Sequence, residues 1–89
     1  MSDIVRRATA GTLESSDVFV TLEPGEGKLQ IDIDSVVKNQ FGDMILKTVE
    51  EVLRELEVSS AKVAIVDRGA LDCVIRARVE TAVLRGKGE

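Results

Sequence analysis

The sequence predicts an α+β fold of two layers, a mostly antiparallel sheet packed against two helices, and three patterns carry that prediction. Short segments rich in β-branched residues recur at 8–13, 18–23, 29–33 and 61–66, one apolar stripe at helical spacing runs from Phe41 to Leu56, and good helix formers fill residues 76–85. With 89 residues there is room for one domain, so residues 1–89 read as a single unit. A chain of that length buries a little over ~60% of the surface its unfolded form exposes. The core must be aliphatic, because the chain holds two Phe and neither Trp nor Tyr.

Taken in order, Ala8 to Leu13 is the weakest strand candidate. Val18 to Glu23 is stronger, with β-branched and aromatic residues in loose alternation. If the two pair, Glu14-Ser15-Ser16-Asp17 becomes a hairpin turn with Ser15 at its tip. Pro24-Gly25-Glu26-Gly27 then breaks the chain, and Leu29, Ile31 and Ile33 alternate with Gln30, Asp32 and Asp34 as a half-buried strand. So short a connection predicts an antiparallel hairpin between 18–23 and 29–33, since parallel neighbours need a crossover of about a dozen residues or more.

Phe41, Ile45, Val49, Val52, Leu53 and Leu56 form one face of a helix of about four turns. Lys47, Glu50, Glu51, Arg54 and Glu55 lie on the other face. Its start is expected near Gly42-Asp43, where a carboxylate suits the positive end of the helix dipole, and Ser59-Ser60 closes it. Ala61 to Val66 reads as a buried strand bounded by Asp67-Arg68-Gly69. In the last segment the two periods compete: residues 76–85 favour helix through good helix formers, the Arg76 and Glu80 pair and Gly86, while 70–75 fits strand and helix alike.

The chain has twelve basic and sixteen acidic residues, a formal net charge of −4. That balance works against binding phosphate backbones, so nucleic acid is not an expected partner. Arg76, Arg78, Arg85 and Lys87 make the one basic bias, readable as a solvated helix face or as a docking patch. No His is present and Cys73 is the sole cysteine, which excludes a zinc set of Cys and His and an internal disulfide. Neither a secretory leader nor an apolar run of membrane-spanning length is found, so a cytoplasmic location is expected. Ordinary catalysis lacks a histidine base, and the glycines make neither a dinucleotide fingerprint nor a P-loop.

The segments Ala10-Gly11-Thr12-Leu13-Glu14-Ser15-Ser16-Asp17, Gln40-Phe41-Gly42-Asp43 and Asp67-Arg68-Gly69-Ala70-Leu71-Asp72-Cys73 closely resemble the acyl carrier protein of citrate lyase, its small gamma subunit. The resemblance covers nearly the whole chain. It implies a non-catalytic subunit bearing a covalently attached 2'-(5''-phosphoribosyl)-3'-dephospho-CoA group, joined through a phosphodiester to the serine of Gly-Thr-Leu-Glu-Ser, here Ser15. It also implies that the arm carries acetyl and citryl thioesters between an alpha subunit, the acyl transferase, and a beta subunit, the citryl lyase, and that a dedicated prosthetic-group transferase loads it. Ser16 stands where such carriers often have glycine and offers a second hydroxyl.

Two other readings stay open. The carrier of malonate decarboxylase has a similar modified serine, although Gly69-Ala70-Leu71-Asp72-Cys73 matches citrate lyase better. A non-enzymatic assembly module that carries nothing is the second. The residues by themselves also permit plainer roles: Ser and Asp are ordinary turn residues, Gly69 a turn, Asp72 a cap for backbone donors, and Cys73 a small buried hydrophobe.

Overall fold

The computed structural model describes residues 3–36 and 38–88. Six elements follow in chain order: β1 (Ala8–Gly11), β2 (Val18–Pro24), β3 (Leu29–Ser35), α1 (Lys38–Glu55), β4 (Ala61–Asp67) and α2 (Asp72–Gly86). The strands form one sheet in the order β1-β2-β4-β3. β1 pairs antiparallel with β2, β2 antiparallel with β4, and β3 parallel with β4. Both helices lie on one face, α2 over β1 and β2, α1 beside α2 and over β3. The α+β, two-layer, mostly antiparallel architecture read from the sequence is therefore the one observed.

Alternation places the core. Val18, Val20 and Leu22 of β2 and Ala61, Val63 and Ile65 of β4 point toward the helices and are buried, as are Ile45, Val49, Val52 and Leu53 of α1 and Ile75, Val79, Ala82 and Val83 of α2. Thr9, Thr21, Asp32 and Ala64 lie across one row of the opposite face, which no helix covers. Branched aliphatic side chains thus fill the interlayer space without any ring.

The expected hairpin between β2 and β3 does not form. β4 lies between them, with Pro24 of β2 and Leu29 of β3 both level with Ala61. The reason is reach. Strands one place apart in a sheet are separated by roughly 9.5 Å, and the five steps from residue 24 to 29 span more than that. The segment therefore crosses over the beginning of β4, where the Ala61 amide donates to the Lys28 carbonyl at 3.1 Å and the Gly27 amide to the Ser60 hydroxyl at 2.9 Å. Glycine is required at 25, because a Cβ there would come within 2.4 Å of the Ala61 nitrogen. The parallel pair β3 and β4 uses α1 as its crossover, which satisfies the length that parallel neighbours require.

Other expectations need correction at the residue level. Helix α1 starts at Lys38, ahead of Gly42-Asp43, with no acidic residue in its first turn. It ends at Glu55; Glu57 takes a left-handed φ of 59° and the Val58 amide returns to the Leu53 carbonyl at 2.9 Å. Phe41 is 45% exposed, so the buried stripe begins at Ile45. The ambiguous residues 70–75 divide at Leu71, which takes the N-cap position of α2 with an extended backbone.

Cys73 is exposed. Two residues before Ile75, it points to the opposite side of a 3.6-residue helix from the buried stripe. Asp72 receives the Thr48 hydroxyl rather than a backbone donor, and the Ala70 amide donates instead to Asp67.

Candidate functional site

Residues 12–17 join β1 to β2, and the polar groups of Thr12 and Asp17, with the Glu14 backbone and the Ser16 amide, tie the turn together. Thr12 Oγ1 accepts from the Glu14 amide at 3.2 Å and donates to Asp17 Oδ2 at 2.7 Å. The Asp17 amide donates to the Glu14 carbonyl at 3.2 Å, closing the turn on itself. Two further backbone bonds fasten it to the segment after β4: the Ser16 amide to the Arg68 carbonyl at 2.8 Å, and the Arg68 amide to the Asp17 carbonyl at 2.9 Å.

Asp17 also accepts from the Val18 amide at 2.7 Å and from both arms of Arg78 on α2, Nε at 3.1 Å and Nη2 at 3.0 Å. The Thr12 hydroxyl, the Arg78 fork and the Val18 amide all favour the charged form and hold the Asp17 carboxyl down at about 2. Gly11 makes the approach possible. Its φ is +91°, and a Cβ there would sit 1.8 Å from the Val18 carbonyl oxygen and 3.4 Å from Arg78 Cδ.

Ser15 stands at the exposed apex of this turn. Among the described residues none donates to or accepts from its hydroxyl. Ser16 beside it is also exposed, but its backbone is left-handed, with φ 64°. Glycine adopts that conformation freely, whereas an L side chain adopts it at a cost.

Direction of the strands brings other groups to the same end. β3 and β4 both finish here, with the Ser35 hydroxyl on Asp67 Oδ2 at 2.7 Å, and α1 and α2 both begin here. Between the two helix starts lies an apolar recess of about 230 Å³ whose walls include Phe41, Met44, Ala70 and Leu71.

The basic residues near the C-terminus are engaged within the fold. Arg76 reaches Glu51 and Glu55 of α1 at 3.1 Å each, Arg78 holds Asp17, Arg85 donates to the Thr9 carbonyl at 2.9 Å, and Lys87 donates to the Leu56 carbonyl. The expected Arg76 and Glu80 pair gives way to these contacts across the helices. A free basic docking patch is therefore not what these four residues make.

Chemically the turn offers a nucleophile without its activator. The nearest fixed carboxylate, Asp17, is committed to four donors and stays ionised far below neutral pH. A serine hydroxyl needs a positioned base to attack. Among the described residues no group of His, Cys, Asp and Glu could hold a metal ion. Nor is any helix long and apolar enough to cross a membrane.

A family model described as "Malonate decarboxylase delta subunit (MdcD)", of the acyl carrier type, matches residues 5–86. The citrate lyase acyl carrier protein of Treponema denticola is 56% identical over 92% of this chain and 93% of its own length. Its counterpart from Cronobacter sakazakii is 55% identical over 92% of this chain and 84% of its own. The chain belongs to the citrate lyase acyl carrier protein family. Among solved structures, a chain of a Pseudomonas malonate decarboxylase hetero-tetramer in complex with malonate is similar to this carrier, with a TM-score of 0.80 and 31% identity, over 90% of this chain and 82% of that one.

Sequence reasoning singled out the carrier's turn and its apex serine. It missed what holds them. Asp17 was visible as a turn residue, but its partner Arg78 lies 61 positions away, and no local pattern links the two.

Proposed function

We propose that this chain is the acyl carrier subunit of a citrate lyase and that Ser15 is the attachment point for a phosphoribosyl-dephospho-CoA group. One observation carries the assignment: Ser15 is exposed, has no hydrogen-bond partner for its hydroxyl among the described residues, and sits at the apex of a turn closed on itself and fastened to the fold through Ser16 and Asp17. A group hung there meets solvent on its outer side and leaves the core undisturbed.

The turn fits the role of a substrate for loading better than that of a catalyst. The Ser15 oxygen would attack the phosphorus of an activated phosphoribosyl donor, the bond from that phosphorus to its phosphate leaving group would break, and the hydroxyl proton would pass to a base of the transferase. No carboxylate of the turn is hydrogen-bonded to Ser15 to serve as that base, and Asp17 is committed to other donors. Once attached, the group supplies a terminal thiol that carries acyl groups as thioesters between partner active sites at high effective concentration. The partners are the alpha acyl transferase and beta citryl lyase subunits, and the setting is cytoplasmic.

A malonate decarboxylase carrier is the second reading, favoured by the family model and by the structural neighbour. The curated relatives named citrate lyase acyl carrier protein stand nearer, at 48–56% identity. The test is the intact mass of the chain from its native cells, with fragmentation to place any added group, followed by Ser15→Ala. The expected result is one phosphoribosyl-dephospho-CoA on Ser15, and an alanine variant that assembles normally but supports no citrate cleavage. An unmodified chain in cells cleaving citrate would overturn the reading in favour of an assembly module. A complex that turns over malonate instead would select the second reading.

A further inference from the structure

Two hydroxyls stand side by side on an exposed turn, and a loading enzyme must take one. We infer that Arg78 and Asp17 are positioning residues that present Ser15, and not Ser16, to the transferase; the inference rests on the carrier reading above.

Both serines are exposed, so burial of one does not decide between them. Backbone restraint does. Ser16 is held through its own amide on the Arg68 carbonyl and in a left-handed conformation. Ser15 is flanked by Glu14, whose amide and carbonyl are both bonded inside the turn, and by that fixed Ser16. The direction in which the Ser15 side chain leaves the fold is therefore set by ties on either side of it.

Those ties converge on one carboxylate. Asp17 holds the Thr12 hydroxyl and the Val18 amide, and it is itself held by the planar fork of Arg78. The stem of Arg78 passes beside Gly11, and its helix is seated through Ile75, Val79, Ala82 and Val83, all essentially buried. The clamp thus connects the turn to a helix packed by its buried face into the core. A functional group supported in this way keeps its geometry through the residues behind it.

Loss of the fork would free one side of Asp17 and let the turn relax. A hydroxyl displaced by about 1 Å from an aligned attack can lose ~100-fold in rate. The neighbouring Ser16 hydroxyl would then compete.

The experiment loads the full-length chain in vitro with the purified transferase and its activated phosphoribosyl-dephospho-CoA donor. It compares wild type, Arg78→Met, Arg78→Lys and Thr12→Ala, and fragment masses count the group on each serine. For Arg78→Met the expected result is a kcat for loading about 10- to 100-fold lower with KM for the carrier little changed, and a measurable share of product on Ser16. Arg78→Lys keeps the charge without the fork and should recover part of the rate. Thr12→Ala, on the exposed side of the turn, should shift product toward Ser16 even if Arg78→Met does not fold.

Wild-type kcat and exclusive Ser15 loading in folded Arg78→Met, or in Thr12→Ala if that protein is unfolded, would overturn the positioning role and leave the carrier reading standing. A wild-type chain that accepts no group would overturn both.

Discussion

At the scale of the residue, Ser16 shows how a local conformation can be legible in a sequence before its cause is. The resemblance marked position 16 as one where related carriers often have glycine, and the structure supplies the reason in a φ of 64°. A left-handed L residue costs about 1–2 kcal/mol, while glycine restores some 0.4–1 kcal/mol of unfolded-state freedom. Ser16→Gly should therefore stabilise the protein by up to about 1 kcal/mol, seen as a higher urea midpoint, and leave Ser15 loading unchanged. A lower midpoint would mean that the Ser16 side chain contributes more than its backbone costs. Ser15 itself was legible as a turn residue, because small polar residues between two β-branched runs have few other places to go. The partners of that turn, Arg68 and Arg78, were not, because long-range pairing leaves no periodic trace.

At the scale of the element, pattern and length identified every strand and helix, and failure came where one element had to pass another. The alternation of Leu29, Ile31 and Ile33 announced a strand but carried no information about which neighbour it would choose. The run Ala61 to Asp67 claims the middle because it has long partners on both sides, whereas β1 and β3 are the edges. β3 sets the outward carboxylates of Asp32 and Asp34 along its edge, which discourages pairing with another chain. The crossing over β4 depends on Gly25. Gly25→Ala would force a Cβ to within 2.4 Å of the Ala61 nitrogen, and overpacking of that kind costs about 1–3 kcal/mol. Urea unfolding checks it; a wild-type midpoint would show that the loop stands further from β4 than described.

At the scale of the whole molecule, charge and folding meet in the acid range. Asp17 is held at about 2 by the Thr12 hydroxyl, Arg78 and the Val18 amide. Asp3 is lowered too, by the Ser59 amide and hydroxyl. In the unfolded chain such carboxyls titrate near ~3.9, so the unfolded state binds the proton first. For Asp17 the contribution is complete above about pH 4 and disappears as pH falls through about 2, and the loss from Asp3 runs in the same direction. The urea midpoint should therefore drop across that window, and Asp17→Asn should start lower at neutral pH and drop less; an equal drop in the variant would place the acid sensitivity elsewhere. The same long-range joints also impose an order in time. Residues 12–17 precede β4 and α2 in the chain, so the turn's ties to Arg68 and then Arg78 close only after those segments have been made. What the ribosome makes earlier, the fold can complete only later.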